Sequence, residues 1–418
     1  MKIFKIVIYT FLMLFVSCIS DYKQNSINFA GNINNFKSIK LSQLVDEIQY
    51  ITLESNSEII LGYVTGIDMD SNNILISDNN KCLLYDLNGD FISKIGQRGK
   101  GPGEFQYHGN PILGNKYIFI PDSRRLLVFN KSGDFIKSIL SPVRFNNNPF
   151  NSSWMPLTDT AFISHIRNKK GNEKNKALIF GVHSDTLSLF KNYDKFERNK
   201  SSYSGTDDNI AQFYFYNGVL SFKEYFNDTI FRIKNYRKMT PAYNIYLGKY
   251  KFPSSMRGLD PIEYFNKIND HLMIRNIYEL DNYIFFNFRF VNNYPLKSTM
   301  EHIVLGEVQK GPAPIIGMYD KNSKEVFFID SSCNDDKENP NGIENDIDGG
   351  MNFFPNYCID GSTLLMIISV YKLKAYINSA VFKNTKPKYP EKKNELEKLA
   401  NSLNENDNPV LMLVKLKE

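Results

Sequence analysis

The amino-acid sequence predicts an all-β protein built from repeated small sheets, and three observations carry that prediction. The chain of 418 residues is 42% hydrophobic, with 25 Tyr and 32 Phe against a single Trp. Tyr, Phe and Ile suit the pleated, half-buried surface of a strand. Asn, Asp and Gly, the turn formers, recur between the apolar runs. Finally, ILISDNNKCLLYDLNGDFISKI (74–95) aligns without gaps to IFIPDSRRLLVFNKSGDFIKSI (118–139), at an offset of 44 residues with nine of 22 positions identical. A period of ~40–50 residues made of short strands and turns is the signature of propeller blades. One blade cannot bury both faces of its sheet, so blades pack radially around a channel.

Taken in order, the chain opens with Lys2 and Lys5, an apolar run at 6–16, and Ser17-Cys18. Eleven apolar-biased residues are too few to cross a bilayer core, which takes ~20; the pattern is that of a secretory signal over residues 1–17. A polar, Asn/Ser-rich stretch to residue 37 reads as a tether. The first repeat copy divides into strands at 63–69, 73–78, 81–87 and 90–96, with Asn88-Gly89 and Ser132-Gly133 at the tight hairpins, where positive φ is needed.

The stretch KIGQRGKGPGEF (94–105) then raises a choice between a phosphate-cradling loop and a sharp connector. A P-loop continues from its last glycine into Lys-Ser/Thr and a helix. Here Glu104-Phe105-Gln106 follows, so the stretch joins one blade to the next.

Further strands are expected at 161–166, 177–182, 186–190, 212–217, 219–223, 229–233 and 242–247, and again at 272–279, 283–289, 302–306, 313–319, 325–329, 363–370 and 410–416. Two short helical insertions are expected. One is DPIEYFNKIND (260–270); the other, PEKKNELEKLANSL (390–403), places Leu396, Leu399, Ala400 and Leu403 on one face. The last strand should share a blade with the strand at 47–54, so that the N- and C-terminal strands close the ring and leave no edge in the circle.

These residues carry a resemblance. GQRGKGPGEF with the repeat that follows it resembles an NHL-type propeller repeat. LSQLVDEIQYITLES (41–55), FNDTIFRIKNYRKMTPAYNIYLG (226–248), NDIDGGMNFFP (345–355) and DNPVLMLVKLK (407–417) resemble segments of a family of six-bladed β-propeller lipoproteins of Gram-negative bacteria. The resemblance implies a six-bladed β-propeller of four-stranded antiparallel blades over residues 38–418, with seven blades as the alternative count. LFVSC resembles a lipobox, with Phe15 in place of the usual aliphatic residue. That implies lipidation of Cys18, a tether over 18–37, and, because Ile19 rather than Asp follows, an outer-membrane lipoprotein facing the periplasm or the cell surface.

The functional signals are thinner. Loss of Lys2 and Lys5 takes the formal charge from +5 to +3 (5 − 2), too little for nucleic acid. In a four-stranded meander the loop 97–110 and the hairpins 79–81 and 123–125 share one face. That gathers Arg98, Lys100, Glu104, Tyr107, His108, Arg124 and Arg125 into a candidate ligand-binding rim, with Arg offering a planar fork to an anion or sugar. Solvated loop residues with Glu104 capping locally would give the same sequence. Asp346 and Asp348 in NDIDGG invite a calcium loop, but the third ligand slot is Gly350, so a turn with exposed acids is expected.

Cys82 reads as a buried hydrophobe, and pairing of Cys333 with Cys358 is open. The five histidines match no zinc spacing, no catalytic residue stands out, and no cofactor or metal is implied. The expected role is a non-catalytic binding or scaffold propeller for an envelope protein or glycan, membrane-held by lipid, oligomeric state open. The alternative is a hydrolase or lyase working at the mouth of the central channel.

Overall fold

Alternation of large apolar side chains on both sides of short strands sets this architecture. The computed structural model describes residues 26–106, 108–122, 125–140, 142, 153–168, 170–197, 211–260, 263–264, 267, 271–289, 299–304, 307–312, 314–330 and 341–417, with the side chains of 299–312 left aside.

Two short strands, β1 (Ser26–Asn28) and β2 (Phe36–Lys37), precede one helical turn, α1 (Leu41–Leu44), and β3 (Val45–Thr52). Blade one is β4 (Gly66–Met69), β5 (Asn73–Ser77), β6 (Lys81–Asp86) and β7 (Phe91–Gln97). Blade two is β8 (Ile112–Leu113), β9 (Tyr117–Asp122), β10 (Arg125–Asn130) and β11 (Phe135–Leu140). Blade three is β12 (Trp154–Thr158), β13 (Ala161–His165), β14 (Asn175–Gly181) and β15 (Thr186–Lys191). Blade four is β16 (Ala211–Tyr216), β17 (Val219–Glu224), β18 (Thr229–Lys234) and β19 (Lys238–Tyr246).

In blade five, β20 (Met273–Glu279) and β21 (Tyr283–Arg289) are followed by a separate hairpin, β22 (Thr299–Val304) and β23 (Glu307–Pro312), before β24 (Ile315–Asp320) and β25 (Val326–Ile329) complete the sheet. Blade six takes β26 (Tyr357–Cys358) and β27 (Thr363–Ile368), then three helices, α2 (Val370–Asn378), α3 (Ala380–Asn384) and α4 (Pro390–Ser402), and then β28 (Val410–Leu416). Its outer strand is β3, antiparallel to β28 from Val410 opposite Thr52 to Lys415 opposite Glu47. The ring is therefore six-bladed and closed by the two ends of the chain, as the sequence predicts.

Six hydrophobic clusters fill the six gaps between blades. Ile74, Ile76, Leu83 and Tyr85 of blade one pack with Ile51, Leu365 and Leu411 of blade six. Their neighbours in sequence, Leu75, Cys82 and Leu84, point the other way and pack with Ile118, Ile120 and Leu127 of blade two. Phe119, Leu126 and Val128 turn to Phe162 and Phe180 of blade three. Strands buried on both faces read as continuous apolar runs rather than alternating ones, which is how ILIS and CLLY look in the sequence.

The 44-residue repeat is explained by the turns. Asp86 Oδ1 accepts from the N–H groups of Asn88 and Asp90 at 2.8 and 2.9 Å, and Asn130 Oδ1 does the same for Ser132 and Asp134 at 3.1 and 2.8 Å. Gly89 and Gly133 take φ of 91° and 92°. A Cβ there would meet the Thr52 carbonyl oxygen at 2.0 Å and that of Lys94 at 2.5 Å. Each glycine thus turns its own hairpin and lets it touch the outer strand of the preceding blade.

The first correction concerns the tether. Residues 26–37 are bound to the propeller: β1 adds in parallel to β19 and β2 in parallel to β25, covering the outer edges of blades four and five. Ile27 and Phe29 are fully buried, and the Phe29 ring lies 5.0 and 4.8 Å from those of Phe286 and Phe288. Two apolar anchors in an Asn-rich run suffice because the chain also completes two sheet edges.

Helices differ in part as well. α4 falls where expected, α2 and α3 are additional, and of 260–270 the described residues Glu263, Tyr264 and Lys267 are helical. The connections sort by face. Tight turns such as 70–72, 87–90 and 217–218 lie on one side. The strand ends from which the inter-blade connections, the β22–β23 hairpin and the three helices depart lie on the other.

Candidate functional site

The glycine-rich connection between blades one and two lies on the long-connection face and folds back on itself. Gly99 N–H donates to the Phe105 carbonyl at 2.9 Å, and Phe105 N–H to that of Gln97 at 3.0 Å. Glu104 holds the bend: its Oε2 accepts from Gly101 N–H at 2.7 Å and its Oε1 from Gln97 Nε2 at 3.1 Å. Those donors keep its carboxyl below the usual carboxylate range.

Arg98 N–H donates to the Asn80 carbonyl at 2.7 Å, which places the loop against the β5–β6 turn. His108 is also occupied, with Nδ1 2.8 Å from the Gly109 carbonyl and Nε2 against that of Asp78. Arg125 pairs through Nε with Asp122 Oδ2 at 3.1 Å and reaches the Glu104 carbonyl through Nη2 at 2.8 Å. The loop and the hairpin turns thus share one face, while Glu104, His108 and Arg125 hold loops together. The Arg98 and Lys100 residues are exposed. Tyr107, Arg124, Cys18 and Cys333 lie outside the described residues.

Two residues of the repeat play a role that the sequence alone does not reveal. Asp78 accepts from Asn80 and Lys81 N–H at 2.7 and 2.9 Å, and through Oδ2 from Gly62 N–H at 2.8 Å. Asp122, its repeat partner, accepts from Gln106 N–H at 3.3 Å. Gly62 and Gln106 are themselves one repeat apart, so the same carboxylate clamps the incoming connection to its blade at both positions.

Farther round the same face, a charged cluster closes the gap between blades three and four. Glu224 Oε1 lies 3.5 Å from His165 Nε2, and Oε2 pairs with Lys176; the side chains of His165 and Lys176 are 4% and 5% exposed. Burial pushes the Glu224 carboxyl up, but the His165 hydrogen bond and the charges of Lys176 and His165 outweigh it and hold it at about 2. Burial pulls the neighbouring Lys223 amine down to about 8, against the charges of Asp228 and Glu224. The only sequence signal for this cluster is a charge ending each apolar strand, as in SFKE.

An open surface hollow of about 510 Å³ adds to this face at the helical insertion, lined among others by Phe382, Lys383, Lys386, Pro387, Lys393 and Glu397. On the axis, Asp68 bridges three inner strands. It accepts from Leu113 N–H at 2.7 Å and from the Tyr357 hydroxyl. Burial of its carboxyl outweighs these hydrogen bonds and pushes it up to about 6. Gln212 and the Ile277 backbone bond reciprocally at 2.6 and 2.8 Å, tying the inner strands of blades four and five.

The acids of NDIDGG sit in a turn, as expected, but they are not exposed. Asp348 is 2% exposed and accepts from Gly350 N–H and Asn345 Nδ2 at 2.8 and 2.6 Å, while Asp346 receives Ser42 N–H and Oγ at 2.9 and 2.7 Å. Asp346 thereby fastens this turn to α1, while Asp348 closes the turn on itself. Among the described residues no three His, Cys, Asp or Glu side chains gather as a metal site requires. Cys82 is buried and reduced, and Cys358 carries a free thiol.

A closed six-bladed β-propeller with one elaborated face defines the class of protein. The chain belongs to the family described as a domain of unknown function, DUF4934, which it matches over residues 24–415. A solved structure from Bacteroides fragilis, named as an exported protein, shares the fold at a TM-score of 0.66 and 18% identity, over 94% of this chain and all of that one (100%). A member of the DUF4221 family from Bacteroides vulgatus aligns at a TM-score of 0.44 and 12% identity, over 68% of this chain and 85% of that one. No curated protein matches the chain. No helix among the described residues is long and apolar enough to cross a membrane.

Proposed function

We propose that the chain is a non-catalytic binding or scaffold propeller of the cell envelope, anchored to the outer membrane through lipid on Cys18, that presents its long-connection face to a protein or glycan partner. The observation that supports this is the asymmetry of the ring. The strand ends that lead into the inter-blade connections, the inserted hairpin and the three helices all lie on one face, whereas the other carries tight turns. Loops on a rigid scaffold are where binding residues concentrate. On this face lie the exposed Arg98 and Lys100 of the candidate rim and the lysine-lined hollow at α3 and α4. The axial carboxylate Asp68 is engaged by protein donors, which favours this reading over hydrolysis or lyase chemistry at the channel mouth.

The test is photo-cross-linking in intact envelopes, with a photoreactive residue at Lys100, at Lys386, or at Asn88 on the tight-turn face. Discrete adducts from the first two positions are expected. Adducts confined to Asn88, or none from any position, would overturn the assignment of this face. Cys18→Ser should move the protein from the membrane fraction to the soluble one; retention in the membrane fraction would remove the lipid anchor.

A further inference from the structure

At the opposite end of the channel, on the tight-turn face, the inner strands of blades four and five end in Tyr216 and Glu279. The Glu279 side chain is 0% exposed and meets two cations, Arg232 and Lys321, whose side chains are 14% and 12% exposed. Arg232 Nη2 donates to Glu279 Oε1 at 2.6 Å, Tyr214 hydroxyl donates to Oε2 at 2.8 Å, and Arg232 Nη1 donates to Ser221 Oγ at 2.7 Å. Lys321 Nζ stands 3.1 Å from the oxygen that Arg232 already uses. It is buried and makes no hydrogen bond.

Its other neighbour is the Tyr216 ring, whose centroid is 3.8 Å away, and Arg232 lies 5.3 Å from the same ring. The nearest acid in sequence, Asp320, caps its own turn through Asn322 and Ser323 N–H at 2.8 and 3.1 Å. One carboxylate therefore serves two cations, and a positive charge is left over in a site largely closed to water. An uncompensated buried charge is costly, and an ammonium without hydrogen bonds adds to that cost.

We propose that this mouth is an anion site, in which the carboxylate or phosphate group of a small ligand binds between Lys321 and the Arg232 guanidinium, over the Tyr216 ring. Oxyanions of this size accept charge-assisted hydrogen bonds from both cations, and the guanidinium fork suits their planar or tetrahedral oxygens. The site lies on the face opposite the partner-binding face proposed above and does not depend on that assignment.

The test is thermal unfolding of the purified full chain with added sodium phosphate or sodium acetate, at ionic strength held constant with sodium chloride. An anion at about 100 times its Kd should raise the unfolding temperature by roughly 3 °C for a chain of this size. Response to phosphate alone points to a phosphate-bearing ligand, and response to acetate alone to a carboxylate. Lys321→Met should lose the response while staying at least as stable as the parent without added anion, because it removes the surplus charge. Lys100→Met, on the other face, should keep the response. No shift in the parent, or an undiminished shift in Lys321→Met, overturns the proposal. So does a fall in the unfolding temperature of Lys321→Met without added anion, since Lys321 would then be a structural brace.

Discussion

If residues 26–37 were a tether, replacing Phe29 would leave the propeller untouched; the structure requires the opposite. Phe29 is fully buried among Phe286, Phe288 and Phe328, with ring centroids at 5.0, 4.8 and 5.3 Å. A Cβ on Gly317 would sit 2.6 Å from the Phe29 ring, so the cavity is shaped for that side chain. Truncating a buried Phe to Ala costs about 3–5 kcal/mol. With an unfolding entropy of roughly 2 cal/mol/K per residue, a chain this long loses about 1 °C per kcal/mol. Phe29→Ala should therefore lower the unfolding temperature by about 3–6 °C. Deleting residues 19–37 should cost more, because it also strips β1 and β2 from the edges of β19 and β25. Scanning calorimetry of the parent and both variants reads this directly. A Phe29→Ala variant within about 1 °C of the parent would refute the packing argument and return the segment to a tether.

Three other outcomes follow from the geometry. Gly133→Ala should destabilise by about 2 kcal/mol or more, since its φ of 92° and the Lys94 carbonyl 2.5 Å from the new Cβ both oppose it; denaturant unfolding checks this, and an unchanged midpoint counts against the inter-blade contact. Asp122→Ala should loosen the 98–110 connection by removing the acceptor for Gln106 N–H and Arg125 Nε, which faster amide exchange at Gln106 would reveal and unchanged exchange would contradict. Asp68, whose carboxyl is pushed from 3.8 to about 6 by burial, keeps its proton in the folded state over a range where the unfolded chain has released it. Stability should therefore fall by about 3 kcal/mol as pH rises from about 4 to about 6. Asp68→Asn should flatten that slope, and a parent whose own slope is absent would refute the buried-carboxyl account.

How far the sequence could be read depended on how much of each feature is local. Blades one and two repeat because each needs the same turn glycine, the same Asp or Asn cap and the same clamping carboxylate, and those residues fall at the same offsets within each blade. Closure by β3 and β28 was legible because both are long apolar strands at the chain ends. The inner strands β8 and β26 were not, since two residues carry no period, and β12 was masked by Pro156 in an inner edge position. α2 begins at Val370, inside the expected strand at 363–370, because VYKLKAYIN favours a strand by residue type and becomes helical by burying Val370, Leu373, Tyr376 and Ile377 together. The charged sites lie furthest from sequence reasoning. Arg232, Glu279 and Lys321 come from three strands or turns of two blades, and the chain between Arg232 and Glu279 spans 47 residues. No spacing rule joins them; the ring does, by bringing the ends of β16 and β20 side by side. In the predicted rim the residue types were right for an anion site, yet the structure turns Glu104, His108 and Arg125 toward backbone atoms. Where a glycine-rich connection must be held against a blade, charged side chains near it first satisfy the backbone, whereas at the far end of the channel two cations share one carboxylate.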